Sequence, residues 1–228
     1  MAVASVVLGA AVGVLAISFG VGAVAAGASV GQACAMSLLV FTGASQLSAV
    51  SVIGAGGSPA SALAGSLLLA ARNGAYSLTM ARRLPGRLGM RLMAAQLTID
   101  ESTAMSVAQD SPDAQRAAFW ITGGSIYFFW NLGTLIGAVL GSAVDPITFG
   151  LDAAFPAAFV AMVWPLLAER RGRVAAALGA AICLALVPFT PIGVPILCAS
   201  LAILVGVPAP AAPAAPAAPA GPVGPVEP

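Results

Sequence analysis

The chain has 228 residues, of which 60% are hydrophobic and only 7% charged, and its mean hydropathy is +1.01. A soluble domain carries roughly 25% charged residues, so this composition cannot dress a water-facing surface. A net charge of +1 with no basic cluster among aromatics argues against nucleic acid. The lack of histidine argues against zinc and His-based catalysis, and three scattered cysteines (Cys34, Cys183, Cys198) against a disulfide framework.

No Asp, Glu, Lys or Arg precedes Arg72, a stretch too long to be one buried helix. In lipid every segment must satisfy its own backbone, which leaves helices or a closed barrel. The long apolar runs do not alternate as barrel strands do, so the expectation is all-α. With about 20 residues per crossing, the chain reads as a polytopic transmembrane helical bundle of about six to seven spans plus a re-entrant or interfacial segment.

The first span is expected at 3–26. It reads as retained rather than as a signal peptide, because it lacks a positive n-region and the apolar run continues. Gly27, Ser29 and Gly31 mark a turn before a span at 33–54, which the Gly- and Pro-rich cluster from Gly54 to Pro59 ends. A third span, 59–80, holds Arg72 and leads into a loop with Arg82, Arg83, Arg87 and Arg91. Segment 88–108, with Asp100 and Glu101, is too polar for a simple span, and in the polar stretch 109–117 Pro112 reads as a helix breaker. Spans follow at 118–141 and 149–168, then a basic turn from Glu169 to Arg173. Pro188, Pro191 and Pro195 divide the last run into 174–188 and 191–206, each roughly 22–24 Å long.

The positive-inside rule places both basic segments in the cytoplasm. Two spans separate them, so 88–108 returns to its own side and the N-terminus lies outside. Residues 1–206 form one membrane permease domain, and 207–228 a Pro/Ala-rich disordered tail of extended, polyproline-like character.

Polar groups at membrane depth are expensive and mark candidate sites. Arg72 either serves a site or snorkels to the headgroups. Its neighbour Asn73 offers amide groups to a substrate or to another helix. Asp100 and Glu101 are either a proton-carrying pair, because adjacent carboxylates repel, or an acidic first helical turn capped by Thr98 or Asp100. In the middle of the second span, Thr42, Gly43, Ser45 and Gln46 suit a broken helix that opens its backbone to a substrate. The alternative there is small-residue packing with hydrogen bonds across helices. Gly133, Gly137 and Gly141 recur every four residues and are expected to let another helix approach closely. Asp152 and Pro156 are read as a cap and a bend, and Trp120, Tyr127, Trp130 and Trp164 as interfacial anchors. No phosphate loop and no nucleophile with a base is present, so an enzyme is not expected.

Four ordered segments carry a family resemblance: 36–46 (MSLLVFTGASQ), 70–78 (AARNGAYSL), 97–102 (LTIDES) and 130–159 (WNLGTLIGAVLGSAVDPITFGLDAAFPAAF). Together they resemble the AzlC family of branched-chain amino acid exporters over about residues 10–206. The resemblance implies the large subunit of a secondary transporter in a bacterial plasma membrane. It implies export of valine, leucine, isoleucine and sometimes methionine in exchange with the proton gradient. The implied partner is a small AzlD-type membrane subunit, and no cofactor is implied. It places Gly43, Ser45 and Gln46 in the family's GASQ-like element, Arg72 at its membrane arginine, and Asp100 and Glu101 at its acidic pair. The chain departs from the family at Ala70 and Asn73, where many members carry asparagine and histidine. Two other readings compete with the exporter. A non-transporting membrane scaffold would keep the charged residues at headgroups or an interface without a cavity. A passive channel would need a continuous polar face along several spans.

Overall fold

The computed structural model describes residues 1–143 and 163–202, with 157 and 160. All regular structure among the described residues is helical. Helix α1 spans Ala2–Ala25, α2 Val30–Val40, α3 Ala44–Gly54 and α4 Pro59–Ala81. Helices α5 (Leu88–Gln96) and α6 (Asp100–Val107) are short, and α7 runs over 32 residues from Pro112 to Ala143. A 3-10 turn at Trp164–Ala168 precedes α8 (Arg170–Leu186) and α9 (Val194–Ala199), and a 3-10 turn at Ser200–Ala202 follows. Among the described helices, α1 and α7 are long and apolar enough to cross a membrane.

The α1–α7 pair is the spine of the fold. Small residues on both helices let the backbones meet: Gly13 and Ala16 oppose Gly133, Ile17 opposes Gly137, and Val21 opposes Gly141. The packing role expected of the α7 glycines is therefore observed. Hydroxyls lock the spine where no water competes. Ser5 Oγ hydrogen-bonds Thr122 Oγ1 at 2.8 Å, and Ser37 Oγ of α2 bonds Thr134 Oγ1 at 3.0 Å. The core on this spine includes Phe19, Leu47, Ile126 and Trp130.

Local chemistry sets the helix starts. Ser29 Oγ accepts from Gln32 N and Gln32 Oε1 accepts from Ser29 N, a reciprocal cap that starts α2 at Val30. Ser58 caps α4, with Pro59 in its first turn.

The break expected at Gly43 is observed: Phe41 (φ 38°) and Gly43 (φ 58°) adopt left-handed backbone and divide the second span into two half-helices. Segment 88–108 is not a simple span, as expected, but two helices of 9 and 8 residues, roughly 12–14 Å each. Other expectations are corrected. Pro112 does not break a helix but opens α7, since the first turn needs no proline N–H. The basic stretch after Glu169 is the first turn of α8 rather than a loop, as arginine is a good helix former. Run 191–206 is not one long helix. Gly193 (φ 96°) and Pro195 delay α9 to Val194, and it gives way to a 3-10 turn at Ser200. Most of the expected span 149–168, with Asp152 and Pro156, lies outside the described residues, as do 203–206 and the tail.

Candidate functional site

The break between α2 and α3 leaves a gap beside the spine, and the candidate site occupies it. Gln46 holds the break open. Its Oε1 accepts from Thr42 N and Gly43 N, both at 3.2 Å, and its Nε2 donates to Met36 O at 3.1 Å. One fully buried side chain thus satisfies both amides of the break and adds a bond to a carbonyl near the end of α2. Two further groups serve the α2 terminus. Gln96 Nε2 and the Tyr127 hydroxyl both donate to Leu38 O, at 2.9 and 3.1 Å. The Phe41 ring meets Tyr127 edge-on at 4.9 Å, which holds Phe41 in its unusual backbone.

A cavity of about 70 Å³ opens at the break. That is several times the ~10–15 Å³ that one water needs, and on the order of the charged end of an amino acid. Its apolar wall comes from Val12 and Leu15 of α1, Phe41, Ile99, and Ile126 and Trp130 of α7. The opposite wall is polar: Thr42 and Gly43 at the break, Arg72 and Asn73 of α4, Asp100 and Glu101 of α6. On this polar wall Arg72 Nη1 and Asp100 Oδ2 pair at 2.7 Å, with side chains 37% and 39% exposed. Much of the polar wall has spare bonding capacity. Among the described residues Thr42 Oγ1, Arg72 Nε, Asn73 Oδ1, Asp100 Oδ1 and Trp130 Nε1 are buried without a hydrogen-bond partner. Such atoms cost free energy unless something meets them. They cluster where a polar solute would sit.

Five sequence-derived candidates, Gly43, Arg72, Asn73, Asp100 and Glu101, therefore meet at one cavity, although α3, α4 and α6 are far apart in sequence. Ser45 and Gln46 do not line it. Ser45 is buried on α3, where its carbonyl accepts from Ser66 Oγ of α4 at 3.0 Å, and Gln46 is fully engaged in bridging the half-helices. The reading of Thr98 or Asp100 as a cap is also corrected. Thr98 Oγ1 donates to Ala94 O, and Ser102 Oγ accepts from Ile99 N to close the α6 start. Asp100 is thereby left free to reach Arg72. Trp130 was expected at an interface, but it is 4% exposed and forms cavity wall, stacked on Phe19 at 6.2 Å. A tryptophan within a long helix carries no single-sequence mark of which face it takes. Phe41 and Tyr127 were likewise not expected at a site.

The bridging role of Gln46 carries a stability prediction. Gln46→Leu leaves the half-buried Thr42 and Gly43 amides without their acceptor, at about 1–2 kcal/mol each. It is expected to destabilise the chain by about 2–4 kcal/mol in detergent unfolding. Ser45→Ala removes a hydroxyl with no partner and is expected to stay within about 0.5 kcal/mol of the parent. Equal behaviour of the two variants would refute the bridging role.

No curated protein and no solved structure matches the chain. The family model described as AzlC protein matches residues 7–144, more than half of the chain. That span includes α7, α1 from Val7 onward, the broken helix and every residue of the cavity. The chain thus belongs to the AzlC family, a family of membrane transport proteins.

Proposed function

We propose that this chain is the large subunit of a proton-coupled exporter of branched-chain amino acids, working as a multi-pass protein of about six to seven spans in a bacterial plasma membrane beside a small AzlD-type subunit. The observation that carries the reading is the Arg72–Asp100 pair on the polar wall of a cavity whose other wall is apolar. A scaffold subunit has no need of such a cavity. The clustering of polar groups at one break, rather than along several spans, does not suit a passive channel.

A zwitterionic amino acid fits this pair by exchange. Its carboxylate takes Arg72 from Asp100, and its ammonium takes Asp100 in return, so charge stays balanced in a low-dielectric place. The N-terminus of α3, where Gly43 and Ala44 line the cavity, adds partial positive charge on the carboxylate side. The aliphatic side chain needs only the apolar wall, which separates homologues differing by one methylene by about 1–3 kcal/mol. Broad selectivity among valine, leucine and isoleucine follows. Glu101 sits beside Asp100 on the same wall and makes no ion pair among the described residues. In this reading it carries the coupling proton inward on the empty carrier and gives it up before the loaded site turns outward, so that export is exchanged for proton entry.

The test is efflux of labelled leucine from proteoliposomes containing this chain and its candidate small partner. Expected are efflux that needs both chains, stops with an uncoupler, and is competed by internal valine or isoleucine but not by lysine or glutamate. Well-inserted protein that moves none of the branched-chain amino acids would overturn the substrate assignment. Uncoupler-insensitive efflux would overturn the proton coupling alone.

A further inference from the structure

A second groove lies away from the transport cavity, at the basic elbow between α4 and α5. It encloses about 320 Å³, and its floor is Met80, Leu84 and Ala94, exposed by only 2%, 7% and 7%. Leu88, Arg91, Leu92 and Ala95 of α5 form its outer wall, at the i, i+3, i+4 and i+7 spacing of one helix face. Leu88 and Leu92 are 70% and 62% exposed, so the wall is an apolar surface offered outward. The elbow that carries the groove also concentrates positive charge. Arg91 lines the groove, Arg87 precedes it by one turn on the same face, and Arg82 ends α4. No acidic residue precedes Asp100, and Asp100 is already paired with Arg72. Arg83 is spent on Gln115 and Thr79, and Arg116 on Asp113 and Arg83 O. The side chains of Arg82, Arg87 and Arg91 make no hydrogen bond or ion pair among the described residues, and each residue is exposed.

We propose that this groove is a binding site for one anionic phospholipid, with an acyl chain on the Met80–Leu84 floor and the headgroup phosphate held by Arg82, Arg87 and Arg91. Charge complementarity selects the occupant. Three unspent guanidinium groups beside an apolar trough fit a ligand that joins a phosphate to a hydrocarbon chain. A free phosphate has no use for the trough, and a zwitterionic lipid brings no net charge to the arginines. Arginine also holds phosphate in two-pronged geometry that other side chains do not offer. Basic pockets between helices at a membrane surface are suited to anionic headgroups.

The test titrates the full chain in neutral detergent, followed by native mass spectrometry, with dioctanoyl phosphatidylglycerol, dioctanoyl phosphatidylcholine and inorganic phosphate. One phosphatidylglycerol is expected to bind at least about tenfold more tightly than phosphatidylcholine. The triple variant R82Q/R87Q/R91Q is expected to lose about a hundredfold in that affinity, at about fivefold for each arginine near a membrane surface. Ala95→Trp, which fills the trough and spares the arginines, is expected to weaken phosphatidylglycerol by a similar factor. The glutamine variant changes only exposed side chains, so its folding does not depend on the trough. Equal binding of the two lipids, or phosphatidylglycerol retained by the glutamine variant, would overturn the proposal. Displacement of the lipid by equimolar inorganic phosphate would reduce the site to a free-anion patch and overturn it too. So would a photo-reactive amino acid at position 92 that couples in native membranes to a protein rather than to lipid.

Discussion

Replacing Arg72 by alanine is expected to cut leucine efflux about a hundredfold while leaving the chain folded. The two halves of that expectation have different physical origins. Each side chain of the Arg72–Asp100 pair is more than a third exposed. Screened pairs of this kind contribute at most about 1 kcal/mol to stability. A substrate carboxylate that replaces Asp100 at Arg72 makes a charge-assisted hydrogen bond with few competitors, worth about 1.5–3 kcal/mol, or roughly 10- to 150-fold in rate. Asp100→Asn is expected to act in the same direction by weakening the hold on the ammonium. The double variant R72A/D100N is expected to be little worse than either single change, because the two groups hold one substrate as a unit. Multiplying defects would mean that the residues act independently, and the exchange mechanism would then fail. A large drop in unfolding temperature for Arg72→Ala, with efflux falling only in proportion to folded protein, would make the pair a structural clamp.

The site was legible in the sequence only where one short segment carries its own signal. Charged or amide side chains at membrane depth announce themselves, which is why Arg72, Asn73, Asp100 and Glu101 could be picked out. Glycine among polar residues announced the break at Gly43 in the same way. What the side chains do there was less legible. Gln46 reads as a substrate ligand because a polar side chain at mid-span needs a partner, and the sequence does not say whether that partner is solute or backbone. In the folded chain it is backbone, at Thr42, Gly43 and Met36. Trp130 could not be assigned from sequence, because its place depends on the gap that the α2–α3 break opens beside α7. The helix boundaries show the same division. Helices α1 and α4 begin and end within about one or two residues of the expected spans, since continuous apolar runs with capping residues define them. Pro112 was misread because one proline means opposite things inside a helix and in its first turn.

Gly137→Ala is expected to cost the fold about 3 kcal/mol, although it adds a single methyl group to a helix and alanine is the better helix former. The reason is the surface that the methyl would meet. A Cβ at position 137 would run into the carbonyl group of Ile17 on α1, and a Cβ at Gly20 into the Thr134 carbonyl on α7. Both obstacles are backbone and cannot rotate away as a side chain end can. Overpacking a close-packed contact commonly costs about 1–3 kcal/mol, and a backbone neighbour puts this case at the upper end. Gly124→Ala on the same helix is the control, because nothing lies within 4 Å of the position its Cβ would take. It is expected to be neutral or to stabilise by up to about 1 kcal/mol through helix propensity alone. The consequence for transport is separable from stability. Helix α1 supplies Val12 and Leu15 to the aliphatic wall, and α7 supplies Ile126 and Trp130. Forcing the two helices apart therefore widens the cavity on the side that measures the substrate's side chain. Folded Gly137→Ala protein is expected to lose discrimination among leucine, isoleucine and valine before it loses efflux itself. Unfolding of both alanine variants together with competition assays would decide the matter. If Gly137→Ala proves as stable and as selective as Gly124→Ala, the close α1–α7 contact does not set the shape of the cavity.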